Sequence, residues 1–274
     1  MARKTVDEIL AKKVNGEKVT MLTAYDYPTA RLVDACGVDI ILVGDSLANV
    51  MLGLDSTREV GMEEMIHHAK AVNRAVENAL LVGDLPYEAL QGDLERVVEQ
   101  ARRFIEEAGC AAVKVEWFDN CILVVEALLE AGIAVMGHVG LTPQTAQEFK
   151  VQGKDAASAR RIVDQARAIE ETGCFSIVLE CIPDKVARII TGNLKIPTIG
   201  IGAGPSCDGQ VLVFHDLVGM FDRYRPKFVK QYVDAGELIK QGIRQFCQDV
   251  ADGKFPDQAH SYTLPDEELR GLRD

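Results

Sequence analysis

The sequence predicts an α/β fold in which eight parallel strands, each followed by a crossover, close into a (β/α)8 TIM barrel. Two observations support this prediction. Short apolar runs alternate with amphipathic helical patterns along the 274-residue chain, and most of the runs are continuously apolar, as strands buried on both faces should be. Because α/β barrels of about 250 residues form one unit, we expect residues 1–274 to be a single barrel domain with a short helical C-terminal extension.

Eight segments have the length and the β-branched composition of strands. They are Lys18–Asp26, Val38–Ser46, Ala79–Tyr87, Ala111–Glu116, Ala134–Gly140, Cys174–Cys181, Ile196–Gly204 and Gly209–Val213. A doubly wound open sheet is the alternative arrangement for alternating strands and helices. The number of strands and the lack of a glycine-rich nucleotide-binding turn after the first strand favour the barrel.

The segments between the strands have helical periodicity. Apolar residues recur at steps of three and four within residues 62–76, 94–105 and 162–169, which is the spacing that gives a helix one apolar face. Glycine follows several of the helical segments, at Gly37, Gly109, Gly132 and Gly173, where a left-handed residue commonly ends a helix. These signals predict a repeated succession of helix, stop and strand.

The composition argues against several classes of protein. The chain has 30 Lys and Arg against 42 Asp and Glu, a formal net charge of −12, whereas a surface that binds nucleic acid is basic. The apolar runs are only strand-sized and the first residues are polar, so we expect neither a membrane span nor a signal sequence. None of the seven Cys forms a C-x-x-C pair, which argues against a disulfide framework or a zinc knuckle. A reducing cytoplasm is the expected location.

Ionisable residues lie at the carboxyl ends of five consecutive predicted strands. They are Asp45 with Ser46 beside it, Asp84, Lys114 with Glu116, His138 and Glu180. Any one of them alone is typical of a turn, a helix cap or a solvated rim, but together they favour an active site, which barrels build at this end. Converging carboxylates repel one another unless a cation is present. Because Asp45, Asp84 and Glu116 are hard oxygen donors, the sequence predicts Mg2+.

A series of motifs surrounds these residues. It consists of Gly44-Asp45-Ser46, Gly83-Asp84-Leu85-Pro86, Val113-Lys114-Val115-Glu116, Gly137-His138-Val139-Gly140-Leu141-Thr142-Pro143-Gln144, Leu179-Glu180-Cys181-Ile182-Pro183 and Ile199-Gly200-Ile201-Gly202-Ala203-Gly204. In this order and spacing the motifs closely resemble those of the ketopantoate hydroxymethyltransferase family, and the resemblance extends from about Thr5 to His260.

The resemblance implies a barrel of the phosphoenolpyruvate mutase/isocitrate lyase-like superfamily, a bound Mg2+ and a homo-oligomer, commonly a decamer of two stacked pentamers. It also implies a reaction with small-molecule substrates. In that reaction a hydroxymethyl group passes from 5,10-methylenetetrahydrofolate to 3-methyl-2-oxobutanoate and gives 2-dehydropantoate, in pantothenate biosynthesis.

The resemblance also implies roles for individual residues. The positions that match the metal site are Asp45, Asp84 and Glu116. The positions that match substrate-binding residues are Asp45, Ser46, Asp84, Lys114 and His138. Glu180 matches the catalytic proton acceptor, and a base of this kind is needed to remove a proton from the carbon beside a ketone.

Two other functions stay open at this point. One is a Mg-dependent 2-oxo acid lyase or mutase of the same superfamily, although the K-x-C-G-H-type loop that often carries the catalytic Cys of those lyases is absent from the sequence. The other is a ketoacid-binding barrel without catalysis. Trp117-Phe118 and the short segment Gln147–Lys150 differ from the family's usual pattern at the barrel mouth, so they bear on ketoacid size and on folate contact.

Overall fold

The structure, a computed structural model, describes residues 3–146, 148, 150–269 and 272. Its strands pair in parallel in chain order and form a closed barrel, in which β8 pairs with β1. The strands are β1 (Val19–Thr23), β2 (Ile40–Val43), β3 (Leu80–Asp84), β4 (Ala112–Glu116), β5 (Val135–Gly140), β6 (Ser176–Glu180), β7 (Thr198–Ile201) and β8 (Gly209–Leu212). The predicted (β/α)8 barrel is therefore confirmed, and the open sheet is excluded.

Helices alternate with the strands and cover most of the barrel's outside. They are α1 (Val6–Asn15), α2 (Tyr27–Ala35), α3 (Leu47–Val50), α4 (Met62–Asn73), α5 (Leu94–Glu106), α6 (Cys121–Glu130), α7 (Ala156–Thr172), α8 (Asp184–Asn193), α9 (Phe214–Leu217), α10 (Ala235–Ala251) and α11 (Asp266–Leu269). Short 3-10 helices span Thr57–Glu59, Tyr87–Leu90 and Gln258–His260. The predicted glycine stops are confirmed, since Gly37, Gly109, Gly132 and Gly173 all have positive φ.

The core has two layers, because successive side chains of a strand point to opposite faces. Ile41 and Val43 of β2 pack outwards against the helices, and Ile40 and Leu42 point into the barrel. Ile9 of α1 joins the interior cluster, so the amino-terminal helix closes the end of the barrel where the strands begin. The opposite end, where the strands finish, is left for polar side chains.

Every predicted strand is present, and each is shorter than predicted. The first predicted segment, Lys18–Asp26, contains β1 (Val19–Thr23) and then the start of a helix, because Asp26 accepts a hydrogen bond from Thr29 and caps α2. The seventh, Ile196–Gly204, contains only Thr198–Ile201 as strand. Apolar composition continues past the last residue that has a pairing partner, and pairing defines where a strand ends.

The chain after β8 departs from the regular pattern. Only the four residues of α9 follow the strand directly, and α10 has no buried residue. The helical C-terminal segment is thus present, while its assignment together with the barrel to one domain stays a prediction. Within the described residues, no helix combines the length and the apolar character needed to cross a bilayer. All seven Cys are free thiols.

Candidate active site

Strand alternation places the predicted site residues inside the mouth of the barrel. Asp84 lies two residues after the interior residue Val82, and Glu180 lies two residues after the interior Val178. The same two-residue spacing from an interior residue applies on β4 and β5. Lys114 and Glu116 lie two and four residues after Ala112, and His138 lies two residues after Met136. On each of these strands, the inward side chains therefore change from apolar to ionisable toward the carboxyl end, as the sequence predicts.

The two residues from the loop after β2 reach the same place. The backbone N–H of Asp45 donates to Oδ2 of Asp84 at 3.3 Å, which holds the β2 loop against β3. Ser46 lies beside it, and its hydroxyl is 2.8 Å from that of Tyr25, a fully buried residue that follows β1. Asp45 and Ser46 both line a cavity of about 520 Å³ that opens at the barrel mouth.

The ionisable residues form one continuous series, which we call the strand-end row. Its members are Asp45, Asp84, Lys114, Glu116, His138 and Glu180, and all of them line the same cavity. Asp84 and Lys114 are register partners on β3 and β4, and their side chains are 2.6 Å apart from Oδ1 to Nζ. Lys114 Nζ also lies 3.6 Å from Oε1 of Glu116.

His138 continues the row from β4 to β6. It is the register partner of Glu116, and its Nδ1 lies 3.4 Å from Oε1 of that carboxylate. Its Nε2 lies 3.2 Å from Oε2 of Glu180. These are ion-pair distances, but neither nitrogen meets hydrogen-bond geometry. Burial alone would lower the pKa of His138, yet the charge of Glu116 and the contact with Glu180 raise it to about 9, so the imidazole is held as a cation.

The charges of the row do not balance. Four carboxyl groups face one lysine and one histidine, and burial followed by the nearby charge of Asp84 and Glu116 raises the pKa of Asp45 well above its ordinary value. Burial also raises the pKa of Asp84, although Lys114 opposes this. In Glu116 the balance is reversed, because Lys114 and His138 outweigh burial and lower its pKa. The row therefore has excess negative charge around Asp45, which a cation would neutralise.

The donor set fits Mg2+. No three His, Cys, Asp or Glu side chains in the described part of the chain stand close enough together to enclose one ion. Mg2+ does not require three, since it is usually held by one or two carboxylates with water and substrate completing the shell. Asp45 and Asp84 are adjacent, buried and in electrostatic conflict, so they are the residues best placed to hold it. Glu116 lies on the far side of Lys114.

Glu180 differs from the rest of the row in its accessibility. Its side chain is 18% exposed, whereas those of Asp84, Glu116 and His138 are 1–3% exposed. The backbone of Glu180 is fixed, because its carbonyl oxygen accepts a hydrogen bond from the backbone N–H of Leu141. Gly140, its register partner, has a φ of 101°, and a Cβ there would collide with that oxygen. The close approach of β5 and β6 at this point requires glycine and presents the Glu180 carboxylate to the cavity.

Gln144 is a site residue that reasoning from strand ends does not identify. Its Nε2 donates to Oδ2 of Asp45 at 3.0 Å and to the backbone oxygen of Leu85 at 2.9 Å. Its backbone N–H donates to Oε2 of Glu116 at 3.1 Å. Gln144 is 1% exposed, so these bonds are shielded from water. The motif that ends in Pro143-Gln144 contains this residue, but only the folded loop shows that it links two carboxylates.

The aromatic pair after β4 is half-buried and packs against the outer core. Trp117 and Phe118 line a second cavity of about 490 Å³, and Glu116 and Gln144 line it with them. It lies beside the cavity of about 520 Å³ that the strand-end row lines, which we call the main cavity. Neither of these two aromatic residues lines the main cavity. Of the short segment 147–150, Gln147 and Phe149 lie outside the described residues.

Comparison with known proteins identifies the family. The family model described as ketopantoate hydroxymethyltransferase matches residues 3–258. A protein of Syntrophomonas wolfei named 3-methyl-2-oxobutanoate hydroxymethyltransferase is 49% identical over 275 residues, which is 99% of this chain and 100% of that protein. A protein of Moorella thermoacetica with the same name is 52% identical over 264 residues, which is 95% of this chain and 98% of that protein.

Solved structures with the same fold are more distant in sequence. A crystal structure of phosphonopyruvate hydrolase in complex with oxalate and Mg++ has a TM-score of 0.60 at 15% identity and covers 98% of both chains. One of 2,3-dimethylmalate lyase, described as a member of the PEP mutase/isocitrate lyase superfamily, has a TM-score of 0.59 at 15% identity and covers 98% of this chain and 94% of that one. These likenesses confirm the fold class that the sequence predicts. From its match along almost its whole length, this chain belongs to the ketopantoate hydroxymethyltransferase family.

Proposed function

We propose that this chain transfers a hydroxymethyl group from 5,10-methylenetetrahydrofolate to 3-methyl-2-oxobutanoate and forms 2-dehydropantoate, a step of pantothenate biosynthesis. Family membership and the shared name of its relatives support this proposal. The observation that carries it is the strand-end row, which combines a buried cationic lysine, paired carboxylates and one accessible carboxylate in one cavity. A 2-oxo acid needs these groups for binding, charge stabilisation and proton removal.

We assign proton removal to Glu180. The reaction begins with loss of the proton from C3 of the ketoacid, which places negative charge on the ketone oxygen. Glu116 and Glu180 both contact His138, and the Glu180 carboxylate is the more accessible of the two. Glu180 can therefore reach a substrate carbon. His138 is held as a cation beside it, and the 3.2 Å contact between them orients the Glu180 carboxylate.

Lys114 supplies fixed positive charge. Burial would lower its pKa, but Asp84, Glu116 and Asp45 together raise it above its ordinary value, so the ammonium group stays protonated at neutral pH. A cation that is already in place stabilises a developing oxyanion without reorganisation. We place the ketoacid against Asp45, Ser46, Asp84, Lys114 and His138, all of which line the cavity.

Mg2+ completes the proposal, held by Asp45 and Asp84 with Glu116 nearby. When bound, it would act as a Lewis acid toward the ketone and carboxylate oxygens of the substrate. The new bond then joins C3 of the ketoacid to the methylene carbon of the folate. That carbon separates from the folate nitrogens, and one water supplies the oxygen of the new hydroxyl group, so the products are 2-dehydropantoate and tetrahydrofolate.

A homo-oligomer is part of the proposal. Helix α10 carries an apolar stripe of Ile239, Ile243, Phe246 and Val250, and each of these side chains is 48–56% exposed. The outer face of β8 and β1 forms a hollow of about 610 Å³ lined by Thr20, Gly209 and Gln210. A hollow on the barrel face and a largely exposed apolar helix face are surfaces of the kind that a second copy of the chain would cover. A decamer remains an expectation that follows from the family resemblance, and a cytoplasmic location remains one that follows from the cysteine pattern of the sequence.

The test separates proton removal from group transfer. The purified protein with Mg2+ is incubated with 3-methyl-2-oxobutanoate in D2O, and NMR follows deuterium entry at C3. Formation of 2-dehydropantoate is measured after methylenetetrahydrofolate is added. We expect both signals. Glu180→Gln should slow the exchange by about 100-fold or more, as the loss of a general base does.

The matched control is Glu126→Gln on the exposed side of α6, which should exchange like the wild type. Absence of both exchange and product with any divalent metal would contradict the proposed function. Ketoacid binding without exchange would identify a non-catalytic binding barrel. Unchanged exchange in Glu180→Gln would contradict the assignment of the base but not the reaction.

A further inference from the structure

The main cavity extends well beyond the strand-end row. The row occupies the side formed by β2 to β6, while the other side is formed by the end of β8 and the chain that follows it. That side is lined by Val213, Asp216, Phe221, Arg223, Tyr224 and Phe228, which we call the distal wall. A cavity of about 520 Å³ is in the range of about 300–1,000 Å³ that holds drug-sized ligands. A small branched ketoacid would leave the distal wall without a ligand.

Asp216 is the polar group at the inner end of the distal wall. It belongs to α9, directly after β8, and is half-buried. Burial alone raises the pKa of its carboxyl to about 6, since no side chain in the described part of the chain donates a hydrogen bond that offsets it. The carboxylate is thus ionised at neutral pH, lines the cavity and lacks a donor. A ligand with two adjacent N–H groups would satisfy it through a paired, charge-assisted interaction.

Arg223 lies at the outer end of the distal wall. Its side chain is 54% exposed, and its ion pair with Asp55 is long, at 3.6 Å, with an Asp55 side chain that is 99% exposed. An exposed pair of this kind contributes little, so the guanidinium can exchange it for a ligand carboxylate. Phe221, Tyr224 and Phe228 lie near Arg223 in sequence and line the same wall, and aromatic side chains pack well against flat rings.

We infer that the distal wall binds the folate donor, with Asp216 on the 2-amino and N3–H donors of the pterin ring and Arg223 on the glutamate carboxylate. This inference rests on the proposed function, because it names the place where that reaction's second substrate binds. The order of burial agrees with it, since Asp216 is half-buried and Arg223 is exposed. The pterin therefore enters first, and the glutamate stays at the rim.

The inference also explains how an acidic protein attracts this anion. The chain has a net charge of −12, and its overall field opposes a negatively charged folate. Among the residues that line the main cavity, Lys114 and His138 are committed to carboxylates of the strand-end row, while Arg223 is at the entrance. Local attraction by Arg223 acts on the glutamate tail without disturbing the charges of the strand-end row.

The test measures binding of tetrahydrofolate, and of tetrahydropteroate, which lacks the glutamate, by calorimetry with the full-length protein. Asp216→Asn should weaken tetrahydrofolate binding by about tenfold or more, because a hydrogen bond to a charged group is lost. Arg223→Gln should weaken it about threefold, as expected for an exposed pair. The wild type should prefer tetrahydrofolate to tetrahydropteroate by a similar factor, and Arg223→Gln should show no preference.

The matched control is Arg225→Gln, a neighbouring exposed arginine that pairs with Gln231 and does not line the main cavity, and it should bind both ligands like the wild type. Equal tetrahydrofolate affinity in Arg223→Gln and the wild type would overturn the role of Arg223. Because Arg223 is 54% exposed, weaker binding by this variant would report the lost contact and not misfolding. If both variants bind like the wild type while the wild type still exchanges the C3 proton, the inference fails and the proposed function stands. If the wild type neither exchanges nor binds folate, both fail.

Discussion

At the scale of single residues, the site depends on carboxylates that are held in place by neutral donors as well as by cations. Asp45 has no cation within ion-pair distance in the described structure, and its fixed partner is the amide of Gln144. This bond occupies Oδ2, so Oδ1 remains available to a ligand. Gln144 also holds Glu116, because its backbone N–H donates a hydrogen bond to that carboxylate. Gln144 is therefore a positioning residue for two groups of the proposed metal site.

Replacement of Gln144 by Met should weaken Mg2+ binding. Methionine has a similar shape and keeps the buried volume filled, but it cannot donate to Asp45 or to the Leu85 carbonyl. Loss of such outer-sphere hydrogen bonds typically lowers metal affinity by about 10–100-fold. Calorimetric titration with Mg2+ measures the affinity directly, with no need for turnover.

Gln152→Met is the control for that experiment, since Gln152 lies further along the same connection and its side chain bonds only to the Lys150 carbonyl among the described contacts. Its Mg2+ affinity should match the wild type. If Gln144→Met bound Mg2+ with the wild-type dissociation constant, Gln144 would have no positioning role. A fall in melting temperature without metal, at unchanged affinity, would give it a purely structural role.

Individual residues also show where prediction from sequence succeeds and where it stops. Asp84, Glu116 and Glu180 could be predicted because each one ends an apolar strand, and strand alternation alone decides which face it points to. Gln144 and Asp216 could not, because they belong to a loop and a short helix. The path of such segments depends on contacts with distant residues such as Asp45, and no local periodicity encodes those contacts.

At the scale of elements, the barrel depends on ties between the ends of neighbouring strands. Asp39, just before β2, is the clearest example. Its Oδ2 accepts hydrogen bonds from the backbone and hydroxyl of Thr20, and its Oδ1 lies 2.9 Å from Nζ of both Lys4 and Lys12. One carboxylate thereby joins the amino-terminal helix to β1 and β2. The sequence predicts the two strands, but neither the amino-terminal helix nor the residue that connects it to them.

Asp39→Asn should destabilise the protein at neutral pH and have little effect in acid. Burial would raise the pKa of Asp39, but Lys4, Thr20 and Lys12 outweigh it and lower the pKa from 3.8 to about 2. A carboxyl with a lowered folded-state pKa stabilises the fold above its unfolded value, and this stabilisation is lost as the pH falls through the folded value. The expected loss at pH 7 is about 1–2 kcal/mol after solvent screening of the lysines.

Urea unfolding of the wild type and the variant at pH 7, 4 and 2.5 would measure this effect. The difference in unfolding free energy should be largest at pH 7 and should shrink between about pH 4 and pH 2. Asp7→Asn, at an exposed position of the same helix, should show a small difference at every pH. A constant difference for Asp39→Asn across the range would mean that shape, and not charge, explains its role.

At the scale of the whole molecule, the barrel is complete in its strands but incomplete in its outer layer. The four-residue α9 cannot cover β8, and the apolar stripe of α10 stays about half-exposed, although Phe246 packs against the ring of Phe255 at 5.6 Å. The sequence predicts a helical C-terminal extension, yet periodicity alone cannot show that its apolar face stays largely exposed in the folded chain. That fact depends on the direction in which the chain leaves β8.

Substitution of the apolar stripe should therefore break the proposed homo-oligomer. In the double variant Ile243→Asp and Phe246→Asp, two charges replace side chains that are 56% and 55% exposed in the single chain, so the chain's own fold should survive. Burying those charges between subunits would be costly, so sedimentation equilibrium should show a multimer for the wild type and a smaller species for the variant. Gln241→Asp, on the opposite side of α10, adds a charge away from the stripe and should leave the mass unchanged. A wild-type monomer at micromolar concentration, or a variant of wild-type mass, would show that α10 does not hold the copies together.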